Sequence, residues 1–217
     1  MRKLDRQSVA APPCLEQYRQ GANNWGDVTW EHKTEIRQHL EHMQGRRCAY
    51  CECCLDTFGQ HIEHFRRKHI HPQLTFAWSN LFWSCDCSNR CGHYKDHGAG
   101  AYSPDDLIDP TVDEPEDYFR FFTDGTIRVR LPDLNDAQKH RANETLRVFN
   151  LCHESGPLRD IRMTYCAGYA TMGQEIAELA RVSDSDDEIL MSFLEEELER
   201  IRGLPFETAI KHTLLSW

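Results

Sequence analysis

Cys48-Ala-Tyr-Cys51, then His61-Ile-Glu-His64, Asn80-Leu81 and Cys91-Gly-His93-Tyr-Lys95 form the stretch on which the reading of this chain turns. Two cysteines separated by two residues can place both thiolates on one tetrahedral ion, because the turn between them converges the sulfurs at about 2.3 Å from zinc. Cys48 and Cys51 fit that spacing, and a second cluster about thirty residues on strengthens it. In the second cluster Cys85, Cys87 and Cys91 are all candidates, and the zinc reading takes Cys85 and Cys91, with Cys87 as the substitute. The acid, the histidines and the asparagine between the two cysteine clusters can supply a base and hard ligands for a second cation. Cys53 and Cys54 read as buried small hydrophobes near the metal. Cys14, Cys152 and Cys166 are isolated.

The remaining composition narrows the setting. A chain of 217 residues with 40% hydrophobic content can bury a core without disulfides. The opening Met-Arg-Lys-Leu-Asp-Arg lacks the apolar run of a signal peptide, and seven of the ten cysteines lie between Cys48 and Cys91. That pattern points to metal in a reducing, cytoplasmic setting. No stretch approaches the roughly 20 apolar residues of a membrane span, so no membrane is expected among its partners. The net charge of −10 argues against a general nucleic-acid binder. From Gln44 to Gly100, however, seven Lys or Arg stand against five Asp or Glu, with half of the twelve histidines. A near-neutral to basic segment sits in an acidic chain, and its grip on a substrate is expected to depend on a partner.

Three segments follow: a helical lead-in over residues 1–45, a metal-bearing core over 46–100, and a hairpin with helices over 101–217. The spacing of Trp30, Ile36, Leu40 and Met43 predicts an amphipathic helix ended by Gly45, preceded by a short helix near Leu15 to Arg19. Pro104, Pro110 and Pro115 mark a long surface connection. Tyr118 to Phe122, Asp124-Gly125 and Thr126 to Leu131 predict a β-hairpin, since Asp-Gly supplies the positive φ of a tight turn. Helices are expected over Asn135 to Asn150, Pro157 to Leu179, Asp184 to Ile201 and Phe206 to Leu215. The acids Asp184, Asp186, Asp187, Glu188 and Glu195 to Glu197 make the C-terminal helices a candidate docking surface.

The series Cys48-x-x-Cys51, Ile62-Glu63-His64, Asn80-Leu81, Cys91 and Lys95 resembles the HNH endonucleases, whose ββα-metal site is a hairpin followed by a helix around one catalytic ion. The resemblance implies an α+β fold with a small ββα-metal core and a structural zinc site, wrapped by N-terminal and C-terminal helices and one extra hairpin. It implies His64 as general base, Glu63 as an acidic ligand, Asn80 as the residue that fixes the loop, and His93 as the last ligand of a catalytic Mg²⁺ or Mn²⁺. The final ligand of that pattern usually follows the second cysteine directly. Gly92 holds that place here, so His93 comes one residue late and Asn89 competes with it. His61 reads as a structural or surface residue close to the site.

Beyond the motif, the chain resembles HNH nucleases of Septu and retron-associated anti-phage defence systems. This implies an ATPase partner of the PtuA type and a nucleic-acid substrate, DNA or an RNA such as tRNA. A retron reverse transcriptase and its DNA–RNA product are further implied partners. Arg66, Arg67, Lys68, Arg90 and Lys95 are the candidate phosphate contacts. The alternative reading is a zinc-binding adaptor whose histidines and asparagine are structural.

Overall fold

Thr29 opens the first long helix, its Oγ1 accepting from His32 N at 3.3 Å, and Gly45 closes it at φ +64°. In this computed structural model, which describes residues 1–131, 133–152, 156–182 and 188–215, the helix is α1, Trp30–Gln44. It buries Ile36, Leu40 and Met43, while Trp30 at its head is 72% exposed and adds nothing to the apolar face. The short helix expected near Leu15 is one tight turn, Pro13–Gln17.

A four-residue turn α2, Leu55–Phe58, leads into β1, His61–His64, which pairs antiparallel with β2, Leu81–Ser84. The register sets His61 opposite Ser84, Glu63 opposite Phe82 and His64 opposite Leu81. The two strands need no third. Gln44, buried at the end of α1, donates from Nε2 to Trp83 O at 2.9 Å and accepts from Trp83 N at 2.9 Å, so one amide occupies the free edge of β2. α3, Cys91–His97, follows.

The fold is mixed α+β in two units, Met1–Pro115 with Asp136–Leu151, and Glu116–Asn135 with Cys152–Trp217. These cut across the three expected segments. The N-terminal lead-in belongs with the core: Arg6 donates to Trp78 O at 2.6 Å and to Leu81 O at 3.0 Å. α5, Asp136–Val148, also returns to the first unit, where Phe149 stacks on Tyr50 at 4.0 Å and its carbonyl accepts from Cys91 N at 2.9 Å.

The second unit holds the expected hairpin, shortened at both ends. Residues Pro115–Tyr118 form a helical turn, α4, and the strands are β3, Phe119–Phe121, and β4, Ile127–Val129. Gly125 makes the turn at φ +78°, and Asp124 Oδ1 accepts from Thr126 N at 2.9 Å. Helices α6, Pro157–Val182, α7, Glu188–Ile201, and α8, Glu207–Leu214, close on Ile176, Leu194, Ile201, Ile210 and Leu214. His212 of α8 accepts from Phe121 N at 3.1 Å through Nδ1 and faces Glu116 through Nε2 at 3.2 Å. The acids Asp184, Asp186 and Asp187 lie outside the described residues. Among the described residues, no helix is long and apolar enough to cross a membrane.

Candidate active site

The turn after α1 bends sharply at Glu52, φ +64°, which lets Cys48 N donate to Cys53 O at 3.0 Å and brings Cys48 and Cys51 to one point. β2 delivers Cys85 and the start of α3 delivers Cys91, itself at φ +55°. All four thiols are buried, and their sulfurs lie within 4.8 Å of one another, with Cys51 and Cys85 at 3.9 Å. A tetrahedron with bonds of about 2.3 Å has edges of about 3.8 Å, so this group could hold zinc. Burial pushes the Cys91 thiol up, as expected of a sulfur that needs a cation beside it to ionise. Cys87 stays outside the four, half-buried and directed at Phe58 O. Arg90 is 5% exposed; burial would lower its guanidinium, but negative charge on Cys51, Cys85, Cys91 and Cys87 would hold it above its ordinary range.

Strand alternation sends His61 and Glu63 of β1 to one side and His64 to the other. On the first side His61 Nε2 is 3.5 Å from Glu63 Oε2 and its Nδ1 is 3.7 Å from Asp86 Oδ1, while His93 Nε2 meets Asp86 Oδ1 at 2.6 Å. His61, Asp86 and His93 form a second group that could take a cation. His61 Nδ1 is buried without a hydrogen-bond partner, and a donor atom left so is suited to a metal. Gly92 runs beneath the group. A Cβ there would stand 2.5 Å from Glu63 Oε2 and 2.8 Å from His61 Nε2, so the residue expected by the HNH pattern to carry a ligand must here be glycine. Asn89, its sequence rival for the last ligand, accepts from Asn150 Nδ2 through its backbone carbonyl at 2.7 Å.

Lys95 explains how an acid survives in this interior. Its ammonium, wholly buried, lies 2.8 Å from Glu63 Oε1, donates to His64 O at 3.0 Å and to Asp96 at 2.5 Å. Burial would raise the Glu63 carboxyl, but Lys95 and His61 overcome that and hold it below its usual value. On the other side of β1, His64 is 4% exposed, edge-on to Trp25 at 4.5 Å, with Nε2 3.0 Å from Thr75 O. A carbonyl can only accept, so Nε2 carries the proton and Nδ1 holds the lone pair. Burial lowers its pKa to about 4 and keeps the ring neutral. Asn80 stitches the intervening loop: Oδ1 accepts from Arg66 N at 2.7 Å, and Nδ2 donates to Arg66 O at 3.0 Å and Leu74 O at 3.1 Å, next to Thr75.

The candidate phosphate contacts fare differently. Lys95 and Arg90 are buried as described. Arg66 pairs with Asp105 at 2.5 Å, and Arg67 is tied to Lys95 O and lies over the Tyr102 ring at 4.5 Å. Lys68 alone of the five is exposed.

No family model matches the chain. Among curated proteins it is 35% identical over 99 residues to the Septu protein PtuB of Bacillus thuringiensis, covering 45% of this chain and 36% of that protein. It is 31% identical over 124 residues to a Vibrio cholerae serotype O1 biovar El Tor protein named "Retron Vc95 putative HNH endonuclease", covering 55% of this chain and 58% of that one. The matched stretches thus span less than two thirds of either relative. The chain is similar to PtuB and to a retron HNH protein, and with them to the HNH-like defence proteins that the series from Cys48 to Lys95 resembles.

Proposed function

We propose that the chain is a metal-dependent HNH endonuclease that hydrolyses nucleic-acid phosphodiesters, acting in anti-phage defence with a PtuA-type ATPase. The observation that carries this reading is that one short strand, β1, bears a buried, neutral His64 on one face and, on the other, Glu63 beside His61 of the ion-donor group. In this reading β1, β2 and α3 are a ββα-metal core, and Cys48, Cys51, Cys85 and Cys91 hold a structural Zn²⁺. Glu63 and His93, with His61 and Asp86 beside them, hold the catalytic Mg²⁺ or Mn²⁺. That cation supplies charge compensation for the phosphate and the leaving oxygen.

The chain's own residues do the rest. His64 takes a proton from the attacking water through Nδ1, because Nε2 is committed to Thr75 O. Asn80 keeps that carbonyl in place by fixing the loop that carries it. Lys95 keeps Glu63 ionised in a buried site. The substrate is DNA or an RNA such as tRNA, and a cytoplasmic setting suits the reduced thiols. The DNA–RNA product of a retron reverse transcriptase is a further candidate partner, in line with the retron relative.

A second reading, a zinc-binding adaptor without catalysis, draws on one observation: Arg66, Arg67, Arg90 and Lys95 are all engaged within the fold. The test is cleavage of plasmid DNA, oligonucleotides and tRNA by the wild type and His64→Ala, with Mg²⁺, Mn²⁺ or EDTA, alone and with the ATPase. Metal-dependent cutting lost in His64→Ala is expected. Zinc-loaded, folded protein that cuts nothing under any condition would leave the adaptor.

A further inference from the structure

The β3–β4 hairpin carries a basic face that no part of the catalytic reading uses. Arg120 and Arg128 stand directly opposite each other across the two strands. Their neighbours Phe119, Phe121 and Ile127 point into the core of the second unit, at 1%, 4% and 1% exposure, so alternation turns Arg120, Phe122, Arg128 and Arg130 to the other side. The Arg128 guanidinium lies 4.8 Å over the Phe122 ring, which is itself 37% exposed. Together with Asp133 these side chains line one shallow cleft of about 340 Å³.

Like charges directly opposite on a sheet destabilise it. Arg120 and Arg128 have no carboxylate at ion-pair distance among the described residues. Of the nearby acids, Glu116 accepts from Lys211 at 3.0 Å, and Asp124 accepts from Thr126 and faces Arg159 at 3.8 Å, leaving Arg128 only a longer-range attraction to it. Arg130 does approach Asp133, at 3.7 Å. Backbone contacts steady two of the three arginines without neutralising them, Arg130 donating to Glu116 O at 3.0 Å and Arg120 to Leu215 O at 3.4 Å. Such a face, in a chain of net charge −10, is a local exception that an anion would relieve.

We propose that the outer face of the β3–β4 hairpin binds the phosphodiester backbone of nucleic acid, through Arg120, Arg128 and Arg130. A row of planar guanidinium forks fits successive phosphates, each able to take two parallel hydrogen bonds. The inference rests on the nuclease reading only in naming nucleic acid as the polyanion. It also answers the internal engagement of Arg66, Arg67, Arg90 and Lys95, since the grip sits on a different part of the chain.

The test is fluorescence-anisotropy binding of a labelled single-stranded DNA, its duplex and an RNA hairpin, with His64→Ala as the parent so that nothing is cut. Against it stand the combined Arg120→Gln, Arg128→Gln, Arg130→Gln variant, the same three positions changed to Lys, and Arg128→Gln alone, which removes the guanidinium over the Phe122 ring. The triple Gln variant is expected to bind about tenfold or more weakly, with the dependence of log K on log salt shallower by about 2 to 3, while the Lys variant, which keeps the charge and loses the fork, falls between the two with the parent's salt slope. Arg128→Gln should show a partial loss at unchanged thermal stability.

Binding and salt slope unchanged in the triple Gln variant would overturn the proposal. So would equal weakness of the Lys and Gln variants, no binding by the parent, or displacement of the DNA by poly-glutamate at equal charge concentration, which would assign the face to an acidic protein. Cleavage is scored separately with His64 intact. A chain that cuts but ignores the hairpin changes loses only this inference, and one that binds through the hairpin yet never cuts loses only the nuclease.

Discussion

Lys95 Nζ lies 2.8 Å from Glu63 Oε1 with both side chains almost wholly out of water, at 0% and 2% exposure. A lysine two positions before the end of α3 thus reaches back to the strand that carries the ion-donor acid.

This pairing predicts what replacing the lysine does. Lys95→Met leaves Glu63 as a buried, uncompensated charge and should cost about 3–5 kcal/mol of stability, measured by urea unfolding. Combining it with Glu63→Gln should return a large part of that loss. A single Lys95→Met as stable as the wild type would place the ammonium outside the fold's support.

The thiol group predicts metal content. The purified chain should carry one zinc, Cys91→Ser or Cys85→Ser should lose it, and Cys87→Ser should keep it, as read by elemental analysis. Zinc lost with Cys87 and kept without Cys85 would exchange their roles.

His64 predicts a pH profile. Its folded value of about 4 lies below the 6.5 of a free histidine, so protonation favours the unfolded chain. The stability associated with its burial is fully present above about 6.5 and is lost as the pH falls toward 4. Wild-type unfolding midpoints should therefore decline between pH 7 and pH 5 more steeply than those of His64→Gln. Cleavage should show no loss near pH 6.5 from protonation of this base, and its imidazole resonances should not titrate there; a His64 signal that titrates near 6.5 by NMR would contradict its buried, neutral state.

The donors around Gly92 predict ion binding apart from activity. His61→Ala and Asp86→Asn should each weaken Mn²⁺ binding, followed by calorimetry, without changing zinc content. Gly92→Ala should destabilise the chain by about 1–3 kcal/mol, because its methyl would land on Glu63 Oε2 and His61 Nε2. Free accommodation of that methyl would mean the acid is not held where it is described.

Local signals carried a good part of this in the sequence. α1 and the hairpin turn are written in short-range periodicity and in Asp124-Gly125, and cysteine spacing brought Cys48, Cys51, Cys85 and Cys91 forward as a set that the fold does gather. What remained hidden depends on contacts between distant residues. Asp86 looks like one acid among many until β2 and α3 bring it to His93, and His61 reads only as a structural or surface residue close to the site because nothing nearby in sequence reveals Asp86 beside it. Gln44 reads as the last polar residue of a helix, and its role at Trp83 needs the sheet edge to exist first. Arg90 and Lys95 read as candidate phosphate contacts because charge is visible in sequence and burial is not. The return of α5 to the first unit likewise rests on Phe149 meeting Tyr50, about a hundred residues away.

Cys91, Gly92 and His93 are consecutive, one belonging to the thiol group, one forming the bare floor under Glu63, one reaching Asp86. Neighbouring Cα atoms are fixed about 3.8 Å apart, so a displaced Cys91 must carry the other two with it. Peroxide that converts Cys51 and Cys85 to a disulfide would remove two of the four sulfurs that anchor this corner. The redox state of the surroundings thereby reaches an imidazole that has no redox chemistry of its own, and oxidised preparations should lose Mn²⁺ affinity while every one of its donor side chains is chemically intact.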